Sequence, residues 1–353
     1  MPQSIDNIFN EITSYRNLLD AYMKARKSKR YEDEVLKYTY NLEANLLSLK
    51  EELRTLSYKP SGYKSFFVMN HKRRLVSKSS FRDRIVHHAF INVLEPYFDR
   101  KFIYDSYGCR KNKGQHKAVR RFRQYSQKNR FVLKLDIQKY YASIDHQVLL
   151  QTLERYVKDE DVMFIIRRIL KSGKDILKNE YIMNWFKGDT LISPLYRDRG
   201  LPIGNLTSQF FANIYLNNFD HLIKEKLRVK GYIRYMDDMV LFSNDKQELW
   251  ECLENIESYL NNLRLRLKEK SILLQPVSKG TLYLGYRIFP THILVRKDTV
   301  YRYTRKFKNK HKAYKRGEFS KEKLIQSWNA WQGHIKHADH YNLQKLILKK
   351  VLE

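Results

Sequence analysis

The chain has 353 residues and a hydrophobic fraction of 42%, which predicts a globular protein of two or three subdomains and excludes a disordered chain. Its 68 Lys and Arg residues outnumber its 38 Asp and Glu residues, so the formal net charge is +30 and a polyanion such as nucleic acid is the expected partner. Cys109 and Cys252 are too few for a disulfide framework, and no segment resembles a signal peptide or a membrane span, which predicts a cytoplasmic protein without membrane association.

The predicted elements begin with helices and continue into strands. Leucines at four- and three-residue spacing predict a helix over 42–56, and a second helix over 84–94 should end before Pro96. The apolar segment 131–135 predicts a buried strand that leads directly into Asp136. The later predictions are a helix over 211–222, strands at 232–235 and 239–242, a helix over 249–263, a strand pair at 283–289 and helices after residue 320.

This order of elements predicts an α+β fold, with an antiparallel sheet and helices packed on one face. The last predicted helices carry Trp328, Trp331 and Ile335 on one face, which is more typical of a core than of a base-stacking surface. Cations and aromatic residues alternate over 297–316, a composition that suits contact with a nucleic-acid backbone.

Three carboxylates lie at predicted strand ends. Asp136 ends the first strand, and Asp237 and Asp238 lie at the tip of the predicted hairpin. An Asp-Asp pair is usually a solvated turn, but here apolar strands flank it on both sides and another strand-end aspartate precedes it. Transfer of a nucleotide needs two divalent ions about 4 Å apart, and Mg²⁺ prefers carboxylate oxygens. The sequence therefore predicts a site for two Mg²⁺ ions, with Mn²⁺ as a substitute.

The segment Tyr235-Met236-Asp237-Asp238 resembles the Tyr-x-Asp-Asp box of reverse transcriptases, and the segment around Asp136 resembles the first catalytic strand of that family. The resemblance extends from about residue 58 to residue 289. It implies an RNA-directed DNA polymerase that uses dNTPs, an RNA template and the RNA/DNA hybrid. In this family pattern Asp136 and Asp237 ligate both metals, the Ile137 carbonyl is a further ligand, and Asp238 supports the edge of the site.

The resemblance also implies a right-hand polymerase with fingers, an antiparallel-sheet palm and a small helical thumb. The corresponding divisions are an N-terminal helical extension over 1–57, fingers over 58–130, a palm over 131–290 with a fingers-like insertion at about 150–200, and a thumb over 291–353.

Further site residues follow from the same resemblance. Tyr141 corresponds to an aromatic residue that excludes a 2′-hydroxyl, and a lysine after the last palm helix, Lys268 or with better spacing Lys270, corresponds to a proton donor for pyrophosphate. The basic segment 71–84 resembles the region of the fingers that binds triphosphate. Its candidate ligands are Arg74, Lys78, Arg82 and Arg84. The primer grip is expected at Leu284, Gly285 and Tyr286.

One segment departs from the usual family pattern. Most reverse transcriptases carry Gln-Gly where this chain has Ile203-Gly204, and Ser-Pro where it has Ser208-Gln209. The departure resembles reverse transcriptases of diversity-generating retroelements, which are encoded by bacteria or phages. These enzymes copy a template-repeat RNA with errors at adenines and work with a small basic accessory protein that is oligomeric in some cases. Ile203 has no hydrogen-bonding group, so pair selection would depend more on shape.

Two alternatives remain open from the sequence. A retron or group II intron-type reverse transcriptase would share the three aspartates but usually keeps Gln-Gly and Ser-Pro. A catalytically silent RNA-binding protein derived from a polymerase is the alternative from a different functional class, and the intact Asp136, Asp237 and Asp238 argue against it.

Overall fold

The computed structural model describes residues 5–69 and 73–352, so positions 71 and 72 of the basic segment lie outside the described residues. The strands are β1 (Lys64–Met69), β2 (Arg73–Lys78), β3 (Phe131–Asp136), β4 (Gly231–Tyr235), β5 (Asp238–Ser243), β6 (Leu273–Pro276), β7 (Thr281–Tyr283), β8 (Tyr286–Ile288) and β9 (Ile293–Val295).

The α-helices surround these strands. They are α1 (Phe9–Ile12), α2 (Tyr15–Ala25), α3 (Asp33–Tyr40), α4 (Leu42–Arg54), α5 (Phe81–Asp99), α6 (Gln115–Ser126), α7 (Tyr140–Ser143), α8 (His146–Glu154), α9 (Glu160–Gly173), α10 (Ser193–Tyr196), α11 (Leu206–Tyr215), α12 (Asn217–His221), α13 (Lys246–Asn262), α14 (Lys297–Lys315), α15 (Lys321–Ile335) and α16 (Tyr341–Leu352).

The strands form three antiparallel sheets, which confirms the α+β class. The central sheet has the order β4-β5-β3-β6, β1 pairs with β2 in a separate hairpin, and β7, β8 and β9 form a small third sheet. Among the described residues, no helix combines the length and the apolar character needed to cross a bilayer.

The central sheet is buried on both faces, and each face contributes to a different core. Side chains alternate between the faces of a strand, so Leu133 and Leu241 point into one core and Val132 and Phe242 into the other. The first core also contains the N-terminal helices, α5, α9 and α11. The second contains α6, the third sheet and the C-terminal helices. Helices therefore pack on both faces of the sheet, and the prediction of one covered face is wrong.

The predicted helix over 84–94 is longer than expected. Helix α5 begins at Phe81, where the Ser80 side chain accepts a hydrogen bond from the Asp83 amide, and it continues through Pro96 to Asp99. Proline removes a helical hydrogen bond, but Phe98, two residues further, is fully buried against Tyr156 and Phe210. Tertiary packing of the last turn thus outweighs the local preference to stop.

The predicted helix over 211–222 is interrupted. Helix α11 ends at Tyr215, α12 follows, and residues Leu222–Lys226 form a π-helical turn. The hairpin at 232–242 and the helix over 249–263 are confirmed as β4, β5 and α13. The strand pair at 283–289 is confirmed only in part, because a third strand, β9, completes it.

The C-terminal helices form a bundle with an aromatic core. Trp331 stacks on Tyr303 with ring centroids 4.0 Å apart and planes 5° apart, and Phe307 lies 5.4 Å from Trp328. Ile335 is fully buried beside them. These tryptophans belong to the core, as the sequence predicted.

Candidate active site

The central sheet brings the three aspartates together at one end. Asp136 is the last residue of β3, and its direct cross-strand partner in β5 is Asp238. Asp237 lies in the two-residue turn between β4 and β5. The strands are held in this register because both faces of the sheet are buried, and a slip of one residue would reverse every side chain.

The turn before Asp237 has an unusual backbone. Met236 has a φ of +56°, in the left-handed region that side chains other than glycine rarely occupy. Gly108 packs against it so closely that an added Cβ would lie 2.7 Å from the Met236 amide nitrogen. A side chain at position 108 would therefore displace the turn that carries Asp237.

The surroundings of Asp237 strongly perturb its carboxyl group. Burial, and after it the negative charges of Asp136 and Asp238, raise its pKa to about 7, while Arg74 acts in the opposite direction. Carboxylates held together with this mutual repulsion are stabilised by a bound cation.

The donor set fits divalent metal ions, with part of the ligand sphere supplied from outside. Within the described residues, no three His, Cys, Asp or Glu side chains converge on a single point to enclose an ion. An Mg²⁺ ion in a polymerase keeps water and substrate oxygens among its ligands, so a fully closed protein cage is not expected. Hydrogen bonds of the Asp136 carbonyl and the Gln138 amide join this part of the chain to the neighbouring segment. The carbonyl of Ile137, which lies between these two residues, takes no part in those bonds.

Two lysines lie near the aspartates. The Lys268 Nζ atom is 3.9 Å from an Asp136 carboxylate oxygen, and the Lys134 Nζ atom is 3.6 Å from Asp238. Lys268 is held in place by its own amide, which donates to the Asp136 carbonyl at 2.9 Å. Lys270, which the sequence favoured, is exposed in the 3₁₀ helix Glu269–Ser271, whereas Lys268 faces the site.

A cavity of about 450 Å³ opens beside the aspartates. Asp136, Asp237 and Lys268 form one side of its lining, and residues from β2, α7 and the segment after α9 form the rest. The remaining lining residues are Arg73, Arg74, Leu75, Ile137, Gln138, Lys139, Tyr140, Tyr141, Ala142, Leu177, Glu180, Ile182 and Ile203.

Tyr141 and Ile203, two of the residues predicted to bind the nucleotide, both line this cavity. The Leu201 amide donates to the Tyr141 carbonyl at 2.8 Å, and the Ser77 amide donates to the Ile203 carbonyl at 2.7 Å. These bonds hold the Ile203 loop between Tyr141 and β2. Burial, together with the nearby Cys109 and Asp237, raises the pKa of Tyr141, so its hydroxyl stays protonated at neutral pH.

Gly204 and Gln209, which the sequence also grouped with the nucleotide-binding residues, are not part of the cavity lining. Gly204 has a φ of +117°, and an added Cβ would lie 2.9 Å from a Val76 methyl group. Its neighbour Asn205 donates to the Ser77 carbonyl at 3.1 Å. Gln209 lies in the first turn of α11 and is half-buried.

The structure separates the four predicted triphosphate ligands. Arg74 is exposed at the cavity, but Lys78 pairs with Glu32 at 2.8 Å and with Glu34 at 2.7 Å. Arg84 also pairs with Glu34, at 2.7 Å. Arg82 pairs with Glu52 and lies over the Tyr58 ring. A triphosphate-binding role for Lys78, Arg82 and Arg84 does not fit these positions, because acidic residues of the N-terminal helices already neutralise them.

The predicted primer grip lies in the turn between β7 and β8. Leu284 and Gly285 have φ angles of +46° and +85°. The Leu284 carbonyl accepts a 2.6 Å hydrogen bond from Gln115, and the Gly285 carbonyl accepts one of 3.1 Å from the Arg296 amide. Tyr286 is buried, and its hydroxyl donates to the His334 carbonyl at 2.8 Å.

Lys139 and Glu180 also line the cavity and were not among the residues predicted from the sequence. The Lys139 Nζ atom lies 2.6 Å from Glu180, which joins the loop after Asp136 to the segment after α9. Lys139 has a φ of +46° and precedes the short helix α7. A basic residue three positions after Asp136 is a sequence signal for Lys139, but no local pattern indicates its distant partner.

Residues 59–288, about two thirds of the chain, match the family described as "Reverse transcriptase (RNA-dependent DNA polymerase)". Protein YkfC of Escherichia coli (strain K12) is 24% identical over 287 residues, covering 70% of this chain and 72% of that protein. The group II intron-encoded protein LtrA of Lactococcus lactis subsp. cremoris is 20% identical over 312 residues, covering 70% of this chain and 50% of LtrA.

A shorter similarity joins the chain to nuclear intron maturase 1, mitochondrial, of Arabidopsis thaliana, at 31% identity over 109 residues, which is 30% of this chain and 15% of the maturase. The matched region thus spans half of LtrA and a small part of the maturase. The chain belongs to the reverse transcriptase family and is an RNA-directed DNA polymerase, with relatives among group II intron-encoded proteins and maturases.

Proposed function

We propose that this chain extends a DNA primer on an RNA template by phosphoryl transfer assisted by two divalent metal ions at Asp136, Asp237 and Asp238. The observation that carries the proposal is the strand register that sets Asp136 opposite Asp238, with Asp237 in the adjoining turn. When bound, the ions activate the primer hydroxyl and neutralise the pyrophosphate leaving group.

The residues around the cavity have distinct roles in this proposal. Asp136 and Asp237 hold the cations, and Tyr141 lies beneath the sugar and excludes a 2′-hydroxyl. Arg74 binds the triphosphate as an exposed cation of β2. Lys268, close to Asp136, is positioned to give a proton to the leaving pyrophosphate.

The direct test is Mg²⁺-dependent incorporation of dNTPs on a primed RNA template by the full chain. Incorporation should be lost when Asp237 and Asp238 are both replaced by alanine, with the circular dichroism spectrum preserved. Incorporation at the background level by both this variant and the unaltered protein would favour the silent RNA-binding alternative, and equal incorporation above background would show that the reaction does not depend on these aspartates.

We further propose the more specific role of a diversity-generating retroelement polymerase, which copies a template-repeat RNA into cDNA with errors at adenines. The supporting observation is that Ile203, an apolar residue, lines the nucleotide cavity together with Tyr141. Without a hydrogen-bonding side chain there, selection of the incoming base rests more on shape than on polar contacts.

The Ile203→Gln variant tests this role. Misincorporation opposite template adenine should fall relative to misincorporation opposite the other bases, as measured by sequencing single cDNA products. A Leu75→Gln variant, which adds the same amide at another cavity position, is the matched control. An unchanged adenine error rate in Ile203→Gln would contradict the role of Ile203.

A group II intron-type reverse transcriptase is the second candidate, and the similarity to LtrA and to the intron maturase favours it. The neighbouring DNA distinguishes the candidates. A pair of near-identical repeats that differ mainly at adenines would support the retroelement role, while an intron RNA structure encoded around the gene would support the alternative.

The retroelement role brings two further proposals. A small basic accessory protein would act with the polymerase, and both would work in the cytoplasm of a bacterial or phage-infected cell. Copurification that survives nuclease treatment would show direct protein contact, whereas loss after nuclease would show that RNA joins the two basic proteins.

A further inference from the structure

A fully buried ion pair lies beneath the turn that carries Asp237. Neither the Arg234 nor the Asp220 side chain is exposed to solvent. The Arg234 Nε atom donates to both Asp220 carboxylate oxygens at 2.8 and 2.9 Å, and its Nη2 atom donates to one of them at 2.7 Å. The Tyr232 hydroxyl donates to the same carboxylate at 2.7 Å. Asp220 therefore fixes the orientation of the guanidinium plane.

The remaining nitrogen of the guanidinium points toward the turn. The Arg234 Nη1 atom donates to the Met236 carbonyl at 3.2 Å and to the Asn213 side-chain oxygen at 3.1 Å. The Met236 carbonyl belongs to the peptide bond that joins Met236 to Asp237. A buried charged donor thus holds the residue in the left-handed conformation immediately before the candidate metal ligand.

The opposite side of the turn is held by the segment that contains Gly108. The Asn213 amide donates to the Gly108 carbonyl at 2.9 Å, so Asn213 joins this segment to Arg234. The Tyr107 amide donates to the Arg234 carbonyl at 2.9 Å, which pairs the segment with the edge of β4. Gly108 then contacts Met236 with no room for a Cβ.

We propose that Arg234 and Gly108 form a clamp that fixes the Met236–Asp237 peptide and thereby positions Asp237 for metal binding. Arg234 is a positioning residue, since it does not line the cavity and reaches Asp237 only through its hydrogen bond to the Met236 carbonyl. This inference rests on the proposed metal site. It adds that the affinity for the ion depends on the Met236–Asp237 turn, which Arg234 holds from beneath and Gly108 from the side.

Two variants disturb the clamp from its two sides. Arg234→Lys keeps the buried positive charge near Asp220, but a single ammonium group cannot reproduce the planar guanidinium fork that reaches both Asp220 and the Met236 carbonyl. Gly108→Ala leaves the ion pair intact and pushes on Met236 from the other side. Tyr232→Phe is the matched control, because it removes one hydrogen bond from the Asp220 carboxylate without affecting the Met236 carbonyl.

The measurements are direct binding of Mn²⁺ alone, from the electron paramagnetic resonance signal of the free ion, and hydrogen–deuterium exchange of the peptide that contains Met236. Both clamp variants should weaken Mn²⁺ binding by about tenfold, the effect typical of changes behind a metal ligand. Both should also exchange faster at the turn, whereas Tyr232→Phe should bind Mn²⁺ as the unaltered protein does.

The outcomes separate this inference from the proposed function. If the unaltered chain binds Mn²⁺ and Gly108→Ala binds it equally well with unchanged exchange, the clamp is wrong while the metal site stands. If Tyr232→Phe weakens binding as much as Arg234→Lys, the network acts only through general stability, which also overturns the inference. If the unaltered chain binds no Mn²⁺, the proposed metal site fails and the clamp's role in metal binding fails with it.

Discussion

The cavity beside the aspartates has two sides, the central sheet and the β1–β2 hairpin, which are built in different ways. On the sheet side, Asp136 and Asp237 are short side chains at the ends of buried strands, and the cross-strand register determines their positions. On the other side, formed by the β1–β2 hairpin and called the hairpin side below, Arg74 is a long exposed side chain of β2. This strand is much less buried than β3. Lys78, on the same strand, reaches away to Glu32 and Glu34.

This difference explains how well each side tolerates change. A carboxylate fixed by a buried sheet cannot be replaced by a neighbour, because the backbone permits no adjustment. An exposed cation can be replaced in part by a neighbouring one, because Arg73 lines the same cavity as Arg74. Substitutions on the sheet side should therefore have the larger effects.

The largest effect is expected for Asp237→Asn. Loss of one negative ligand should lower the rate of dNTP incorporation by about 10³-fold, because the turn contains no second carboxylate that could take its place. Single-turnover primer extension at saturating Mg²⁺ measures the rate. Asp161→Asn, at an exposed position in the first turn of α9, is the control and should keep full activity. A loss of less than tenfold in Asp237→Asn would contradict the rigid-sheet explanation.

The next effect concerns the two lysines after α13. Lys268→Met should lower kcat by about 10²-fold, the contribution of a general acid, and should flatten the alkaline limb of the pH–rate profile. Lys270→Met removes the same charge two residues away and should leave kcat within about twofold, as an exposed surface change does. The opposite ranking would restore the assignment that the sequence spacing favoured.

A smaller effect is expected on the hairpin side. Arg74→Gln should raise the KM for dNTPs by about tenfold, equivalent to about 1.4 kcal/mol of lost interaction with the triphosphate. Lys78→Gln should leave this KM unchanged and lower the melting temperature, because it breaks pairs with two glutamates. A matched rise in KM for both variants would show that the pairs with Glu32 and Glu34 open when nucleotide binds.

The last effect concerns the free energy of unfolding of the metal-free protein and not its activity. The pKa of Asp237 is about 7 in the folded chain, whereas its ordinary value is 3.8. The unfolded chain therefore loses this proton more easily, and the free energy of unfolding falls as the pH rises from about 4 through 7. Asp237→Asn should therefore raise the free energy of unfolding at pH 8 by about 1–2 kcal/mol, since partial exposure screens the full effect, and by less at pH 5. Urea titrations in EDTA at the two pH values measure this; equal gains would contradict it.

On the sheet side, the ends of the strands could be predicted from the sequence. Apolar segments indicate where each strand ends, so the sequence alone places Asp136, Asp237 and Asp238 at strand ends. Tyr141 and Ile203 followed from the family resemblance, and both lie in the cavity.

The hairpin side could not be predicted in the same way. Lys78, Arg82 and Arg84 look equivalent to Arg74 in sequence, and their pairing depends on glutamates 30 to 50 residues away in the N-terminal helices. Likewise, the continuation of α5 through Pro96 depends on the packing of Phe98 against distant aromatic rings. Local composition carries no information about such partners.

The double burial of the central sheet has a practical consequence for anyone who shortens this protein. Ile233 and Val240, on the strands beside the aspartates, share one core with Trp331 and Ile335 of the C-terminal helices. A chain cut after β9 would remove these helices from the shared core and expose apolar residues there, and such a surface promotes aggregation. The last helices thus complete a core to which the central sheet also contributes, and we expect a chain without them to be prone to aggregation.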